Sequence, residues 1–143
     1  MIIRQLSVFL ENKPGHLCAA IDTLAKEGIN ISALTVADTS EFGVLRMIVD
    51  QPERARDVLT ASGVVVRISK VIAIAMDDAP GGAGEVLHRI SNAGLNIEYM
   101  YACVGKLSGK AIMVIRTDNL DLTDDILRLN GYGDINPAEV YRI

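Results

Sequence analysis

The residues most suggestive of chemistry lie in the stretch AMDDAPGGAGEVLHRI, Ala75 to Ile90, where glycines at 81, 82 and 84 separate an apolar run from a helical pattern. Glycines before a helix can bring backbone N–H groups close to a phosphate, as nucleotide-binding loops do. The spacing argues against that chemistry. A dinucleotide fingerprint needs a third glycine at Leu87, and a P-loop needs Gly-Lys followed by Ser or Thr; the chain has neither. His16 and His88 have no partners at metal-ligand spacing, so no metal site is expected. Adjacent acids such as Asp77-Asp78 and Asp124-Asp125 point apart, and no nucleophile stands with a base and an orienting group. The chain therefore reads as noncatalytic and as needing no cofactor.

Composition narrows the classes further. Half of the 143 residues are hydrophobic and 22% are charged, the balance of a chain that builds a packed core. The net charge of −4, without a block of like charges, disfavours nucleic acid as a partner. The longest apolar run, Val64 to Met76, is broken by Arg67 and Lys70, so no membrane span is expected. Cys18 and Cys103 lack ligand-type spacing and no secretory signal is evident, which makes the cytoplasm the expected location.

The elements that must position the glycine-rich loop become legible once the chain is aligned with itself. An offset of 66 places Asn12–Ile31 over Asp78–Ile97 without a gap, with identities at Pro14/Pro80, Gly15/Gly81, Gly28/Gly94, Asn30/Asn96 and Ile31/Ile97. In each copy apolar residues at 17, 20, 21 and 24, or 83, 86, 87 and 90, predict a helix with one buried face. Gly28 and Gly94 end those helices, and INISALTV with GVLRMIVD, or LNIEYMYA with GKAIMVIR, follow as two strands. A second helix opens at Pro52-Glu53 or Asp118-Asn119, and a short strand closes each copy.

The order strand, helix, strand, strand, helix, strand, written twice, predicts an α+β protein of two ferredoxin-like βαββαβ domains, residues 1–69 and 70–143. The second strand of each copy falls at a sheet edge. Pairing of the two edges is expected to produce a continuous, mostly antiparallel sheet of eight strands with helices on one face. A change of apolar parity near Ile31, repeated near Met100, implies a bulge or two-sided burial in that strand.

With the repeat in view, DDAPGG is a variant of ENKPGH, and the loop becomes a Pro-Gly turn that opens a helix. Unpaired N–H groups at a helix start suit a carboxylate. Asn12 or Asp78 in the loop, and Asn30 or Asn96 at the start of the edge strand, can accept from an ammonium, so an α-amino acid could be held at both ends. Gly82 and Gly84 would let a ligand approach the backbone. Capping chemistry explains the loop residues equally well; the repeated Asn at the edge strand has the weaker capping explanation.

These residues carry a family resemblance. RQLSVFLENKPGHL, LAKEGINISALTVADT and LRMIVD resemble the N-terminal ACT domain of acetolactate synthase small regulatory subunits, and the second copy resembles a more divergent ACT domain. The resemblance implies βαββαβ modules that bind an amino acid between side-by-side domains and regulate amino-acid metabolism. It places effector contacts at Asn12, Gly15 and Asn30, with backbone groups of His16 and Leu17, and at Asp78, Gly81 and Asn96, with Gly82 and Ala83. Two departures are present: Asp78 stands where the first copy has Asn12, and a second ACT domain occupies the place of the subunit's different C-terminal domain. The expectation is a stand-alone sensor that modulates a partner, with a constitutive subunit of an enzyme such as acetolactate synthase as the alternative. A homodimer and strand exchange between chains are both compatible with it. The acidic loop residues Glu11, Asp77 and Asp78 favour a histidine-like ligand, whereas the resemblance points to a branched-chain amino acid.

Overall fold

A computed structural model describes residues 1–38 and 42–143. The chain divides into two compact units, one of Arg4–Ser69 with Arg142, the other of Met1–Ile3, Lys70–Tyr141 and Ile143. In chain order the elements are β1 (Ile2–Glu11), α1 (His16–Lys26), β2 (Ile31–Asp38), β3 (Phe42–Val49), α2 (Pro52–Ala61), β4 (Val65–Met76), α3 (Gly82–Asn92), β5 (Ile97–Leu107), β6 (Lys110–Thr117), α4 (Leu120–Leu129) and α5 (Pro137–Val140). No helix among the described residues is long and apolar enough to cross a membrane.

In the first unit the strands lie in the order β2-β3-β1-β4, with β3 antiparallel to both β1 and β2. The alternation of apolar residues decides which face is buried. Leu6 and Val8 of β1 and Leu45, Met47 and Val49 of β3 point to one side, where they meet Ala20 and Leu24 of α1 and Ala55 and Leu59 of α2. Burial of each large aliphatic side chain contributes about 1.5–3 kcal/mol, which outweighs the modest propensities of these short helices. Leu17, assigned to the buried stripe from its spacing, is instead 39% exposed. The register of β2 shifts between Ile31 and Ala33, and that of β5 between Ile97 and Tyr99. Of the two readings of the parity change, these shifts are the bulge.

The second unit repeats the pattern with β4-β6-β5 and a core of Ile72, Ile74, Val86, Ile90, Met113, Ile115 and Leu127. The expected eight strands are not formed: the described residues make six. Two local causes account for the difference. The closing strand of the first copy and the opening strand of the second run on as one element, β4, because no Gly or Pro interrupts Val65–Met76. The strand expected at Tyr141–Ile143 is displaced by α5, where Asn136 caps the helix by accepting from the Ala138 N–H and Pro137 takes the first helical position. Nor do the edge strands pair with each other. Among the described residues β2 pairs with β3 alone and β5 with β6 alone.

The place left by the absent last strand is taken by the start of the chain. Met1 exchanges two backbone hydrogen bonds with Ala73 of β4, Ala73 N to Met1 O at 2.8 Å and Met1 N to Ala73 O at 3.2 Å. The single-sided coverage expected from sequence is also incomplete as a description. Val71, Ala73, Ile112 and Val114 alternate with the core residues of β4 and β6 and are buried on the opposite face, and Ile143 occupies the space a Cβ at Gly105 of β5 would need.

The N-terminal ammonium lies 2.6 Å from Asp124 Oδ1 of α4, and Arg128 Nε donates to Asp124 Oδ2 at 2.7 Å. Burial alone would raise the Asp124 carboxyl; hydrogen bonds from the ammonium and Arg128 outweigh it and hold the group below its ordinary value of 3.8. The stabilisation is therefore complete above that value and is lost as pH falls through the lower folded-state pKa. We predict that Asp124→Asn lowers stability by about 1–3 kcal/mol at neutral pH. In denaturant melts the stability gap between the two proteins should shrink as pH falls below the ordinary carboxylate value and close only below the lowered folded-state pKa, and a deficit independent of pH would refute the ionic assignment.

Candidate functional site

The turn between β1 and α1 explains why a Pro-Gly pair stands there. Gly15 caps the helix at φ 85°, a left-handed conformation costly for other residues, while the space around its missing Cβ is open. Helical bonding starts with Ala19 N to Gly15 O at 2.9 Å, so the N–H groups of Leu17 and Cys18 precede the ladder. No acidic residue lies in the first turn of α1. Asn12 is exposed, and its side chain makes no hydrogen bond among the described residues. Beside it Glu11 is paired with Lys13 at 2.8 Å, and that hydrogen bond draws the Glu11 carboxyl below its ordinary value.

The second turn has the same backbone and different surroundings. Gly81 caps α3 at φ 92°, and helical bonding starts with Glu85 N to Gly81 O at 3.0 Å. Here the first turn carries Glu85, Asp78 is paired with Lys106 at 2.5 Å, and Asp77 lies 3.7 Å from Lys110. The missing side chain of Gly82 does not leave room for a ligand. A Cβ there would lie 2.2 Å from the Asp77 carbonyl oxygen, so the chain's own backbone occupies the space. Gly84 has nothing within 4 Å of its Cβ position, and Ala83 sits between the two glycines in the first turn of α3.

Asn30 and Asn96 lie at the far ends of the helices that these turns open. In the first unit Asn30 N donates to Asp50 Oδ1 at 3.0 Å and Asp50 N returns a bond to Asn30 O at 3.2 Å; Asn96 and Asp118 repeat the exchange at 3.2 Å and 3.2 Å. The acids that end β3 and β6 thus latch the start of the edge strand. Sequence reasoning missed Asp50 and Asp118, although both stand just before the second helix of their copy. An eleven-residue helix is about 16 Å long, so within one unit the Asn30 and Asn12 positions are kept apart, as are Asn96 and Asp78. The side chains of Asn30 and Asn96 are exposed and bond to nothing among the described residues.

A groove of about 460 Å³ opens beside the first turn, between the end of β1, one face of α1 and the α2–β4 turn. Phe9, Leu10, Ala19, Phe42, Val64 and Val65 make it largely apolar, and His16 is the one sequence-nominated ligand residue on its wall. The corresponding place in the second unit, walled by Ala75, Met76, Gly82, Glu85 and Tyr132, encloses about 60 Å³. Tyr132 stands three residues after α4, where the first copy has Val64, and it packs against the core of its unit. Burial and the neighbouring Glu85 carboxylate raise its phenol above the ordinary value.

This geometry can be set beside known proteins. The family described as an ACT domain pair matches residues 1–142. The chain belongs to that family. A protein of Bacteroides thetaiotaomicron is similar over 100% of this chain and 98% of its own, at 37% identity and a TM-score of 0.91. The regulatory subunit of aspartate kinase from Thermus thermophilus, in ligand-free form, matches over 94% of this chain and 98% of its own at 16% identity and a TM-score of 0.65. That from Thermus flavus matches over 80% and 84% at 16% identity and a TM-score of 0.56. The last two share the fold. No curated protein matches the chain in sequence.

Other candidate groups in this ACT domain pair are placed plainly. His16 and His88 are both exposed, and no group of three or more metal-ligating side chains occurs among the described residues. Cys18 is exposed rather than packed, because it lies off the stripe formed by Ala20 and Leu24. Burial pushes the Cys103 thiol up to about 11, which makes it a poor nucleophile. Tyr101 is buried in its strand. The two glycines of α3 provide a test of the second turn. We predict that Gly82→Ala costs about 1–3 kcal/mol through the clash with Asp77, whereas Gly84→Ala is neutral or stabilising by up to about 1 kcal/mol. Equal melting temperatures for the two variants would refute the close approach at Gly82.

Proposed function

We propose that this ACT domain pair is a noncatalytic sensor whose first copy binds a free α-amino acid and thereby alters a surface presented to a partner in amino-acid metabolism. One observation carries the choice of copy. The first turn combines N–H donors at Leu17 and Cys18, no acid in the first helical turn and an unengaged Asn12, whereas the second turn presents Glu85 and has committed Asp78 to Lys106. A carboxylate is attracted by the first arrangement and repelled by the second. On this reading Asn12, Gly15, His16 and Leu17 form the principal site, and Asp78, Gly81, Gly82 and Ala83 form a weaker one.

The distance between the turn and Asn30 points to a second chain. Strands β1 and β2 are both antiparallel to β3 and end level with each other, since Glu11 pairs with Phe42 and Asp38 with Gly43. Antiparallel pairing of β2 with β2 of another copy sets the start of one strand beside the end of the other. Asn30 of one chain then approaches the Asn12 turn of its neighbour, and its side chain can accept from the ligand ammonium. The exposure of Leu34 at 42% and Val36 at 47% on β2 supports a covered edge in the functional assembly. Asn96 takes the same role on the β5 edge.

The alternative reading, drawn from the sequence resemblance, is constitutive attachment to a biosynthetic enzyme such as acetolactate synthase. Co-purification of a large subunit without ligand would support it. For the sensor, calorimetric titration with the twenty amino acids should find at least one that binds below about millimolar, and none would overturn the reading. Asn12→Ala and Asn30→Ala should each weaken that ligand about tenfold, the loss of one or two hydrogen bonds, with Asp78→Ala and Asn96→Ala changing it less. An unchanged affinity in the first pair would move the site elsewhere.

A further inference from the structure

The groove in the first unit has a built-in control, because the repeat supplies a narrowed version of the same space. Phe9, Leu10, Glu11, His16, Ala19, Gly63 and Val64 line the open groove, and their counterparts Ala75, Met76, Asp77, Gly82, Glu85, Gly131 and Tyr132 line the narrower one. The backbones match through the turn, with Gly63 at φ 91° and Gly131 at φ 86°, and then part, since the first copy continues into β4 and the second toward α5. In the second unit the space is divided, about 60 Å³ beside Gly82 and Glu85 and about 240 Å³ beside Ser108 and Glu139, with Tyr132 on the wall of both. Tyr132 in place of Val64 and Glu85 in place of Ala19 narrow the part beside the helix turn. The open volume falls in the range of roughly 300–1,000 Å³ typical of small-molecule sites.

The wall composition selects a chemistry. Aromatic and aliphatic residues from β1, α1, β3 and the α2–β4 turn converge there, and Phe42 at the rim is 54% exposed. Three polar side chains of the wall are already engaged: Thr23 Oγ1 donates to Ala19 O at 2.8 Å, Ser62 Oγ to Leu59 O at 2.7 Å, and Glu11 is held by Lys13, while His16 is exposed at the start of α1. A cationic ligand side chain would find its carboxylate partner taken, whereas an apolar one removes exposed hydrocarbon from water. His16, Ala19, Ala20 and Thr23 place one face of α1 along the groove, directly below the N–H groups that open the helix.

We infer that this groove is the side-chain pocket of the amino-acid site, and that the ligand is an α-amino acid with a bulky apolar side chain. The inference rests on the sensor reading for the ligand's α-carboxylate, and adds the class of side chain and the reason the second copy disfavours it. Glu85 and Tyr132 narrow the equivalent space beside the second helix turn, so the duplicated fold has one open site and one restricted one.

The test is calorimetric titration of the full chain with leucine, phenylalanine, alanine, lysine and glutamate. Leucine or phenylalanine should bind at least tenfold more tightly than the other three. The double variant Ala19→Gln with Val64→Tyr, which fills the groove without adding an acid to the first helical turn, should lose that preference and retain the affinity for alanine. Phe42→Ser, at an exposed position and matching Ser108 of the second copy, should weaken leucine or phenylalanine severalfold and serves if the double variant fails to fold. Tightest binding of a small or charged amino acid, or an undiminished preference in Phe42→Ser, would overturn the pocket while leaving the sensor intact. No binding by any of the twenty amino acids would overturn both.

Discussion

The structure depends on one uninterrupted strand. Val65–Met76 alternates side chains through twelve residues without a breaker, so its first part completes the sheet of the first unit and its second part opens that of the next. Each part must meet a different hydrophobic core in register. Ile68 packs against the first core, and Ile72 and Ile74 are members of the second. Within each unit a one-residue slip would move that part's side chains to the wrong face, so each part is held in register by its own core. The start of the chain is fixed by the same strand through the paired bonds of Met1 and Ala73 and by the ion pair with Asp124.

That constraint leaves the helix-opening turns free to diverge. Gly15 and Gly81 keep the left-handed conformation that turns a strand into a helix, and the Asn30–Asp50 and Asn96–Asp118 exchanges keep the other end of each helix in place. Between those fixed points the first copy has small residues, Ala19 and Ala20, where the second has Glu85 and Val86. The backbone is a common support. What distinguishes the two copies chemically is the side chains it carries and the room they leave.

Much of this was legible in the sequence because it rests on local physics. The duplicated Pro-Gly and Gly-x-Asn-Ile patterns marked each helix at both ends, and the parity change at Ile31 marked an irregular strand, which the register shift shows to be a bulge rather than two-sided burial alone. What remained hidden depends on distant parts of the chain. Residues 141–143 looked like a strand by analogy with Val66–Ile68, but Asn136-Pro137 starts a short helix just before them, and Met1, distant in sequence, bonds to Ala73 of β4 instead. The Asp50 and Asp118 latches were likewise invisible, since a carboxylate beginning a helix reads as an ordinary capping residue. The groove could not be seen at all, because Phe9, Phe42 and Val64 converge only once three elements have packed.

The same reasoning changes the meaning of the glycines in APGGAGEVL. Two of them answer to the chain's own geometry: Gly81 to a left-handed φ and Gly82 to the Asp77 carbonyl oxygen. Only Gly84 is free of both demands. A glycine-rich loop is thus weak evidence for a ligand until one knows what fills the space its missing side chains leave. In the plainer loop a single glycine makes the turn, and the groove below it is emptied by Ala19 and Val64. Room for a ligand in this fold comes from small side chains on the groove wall, exposed Ala19 and half-buried Val64, and in sequence such positions look like any other small or aliphatic residue.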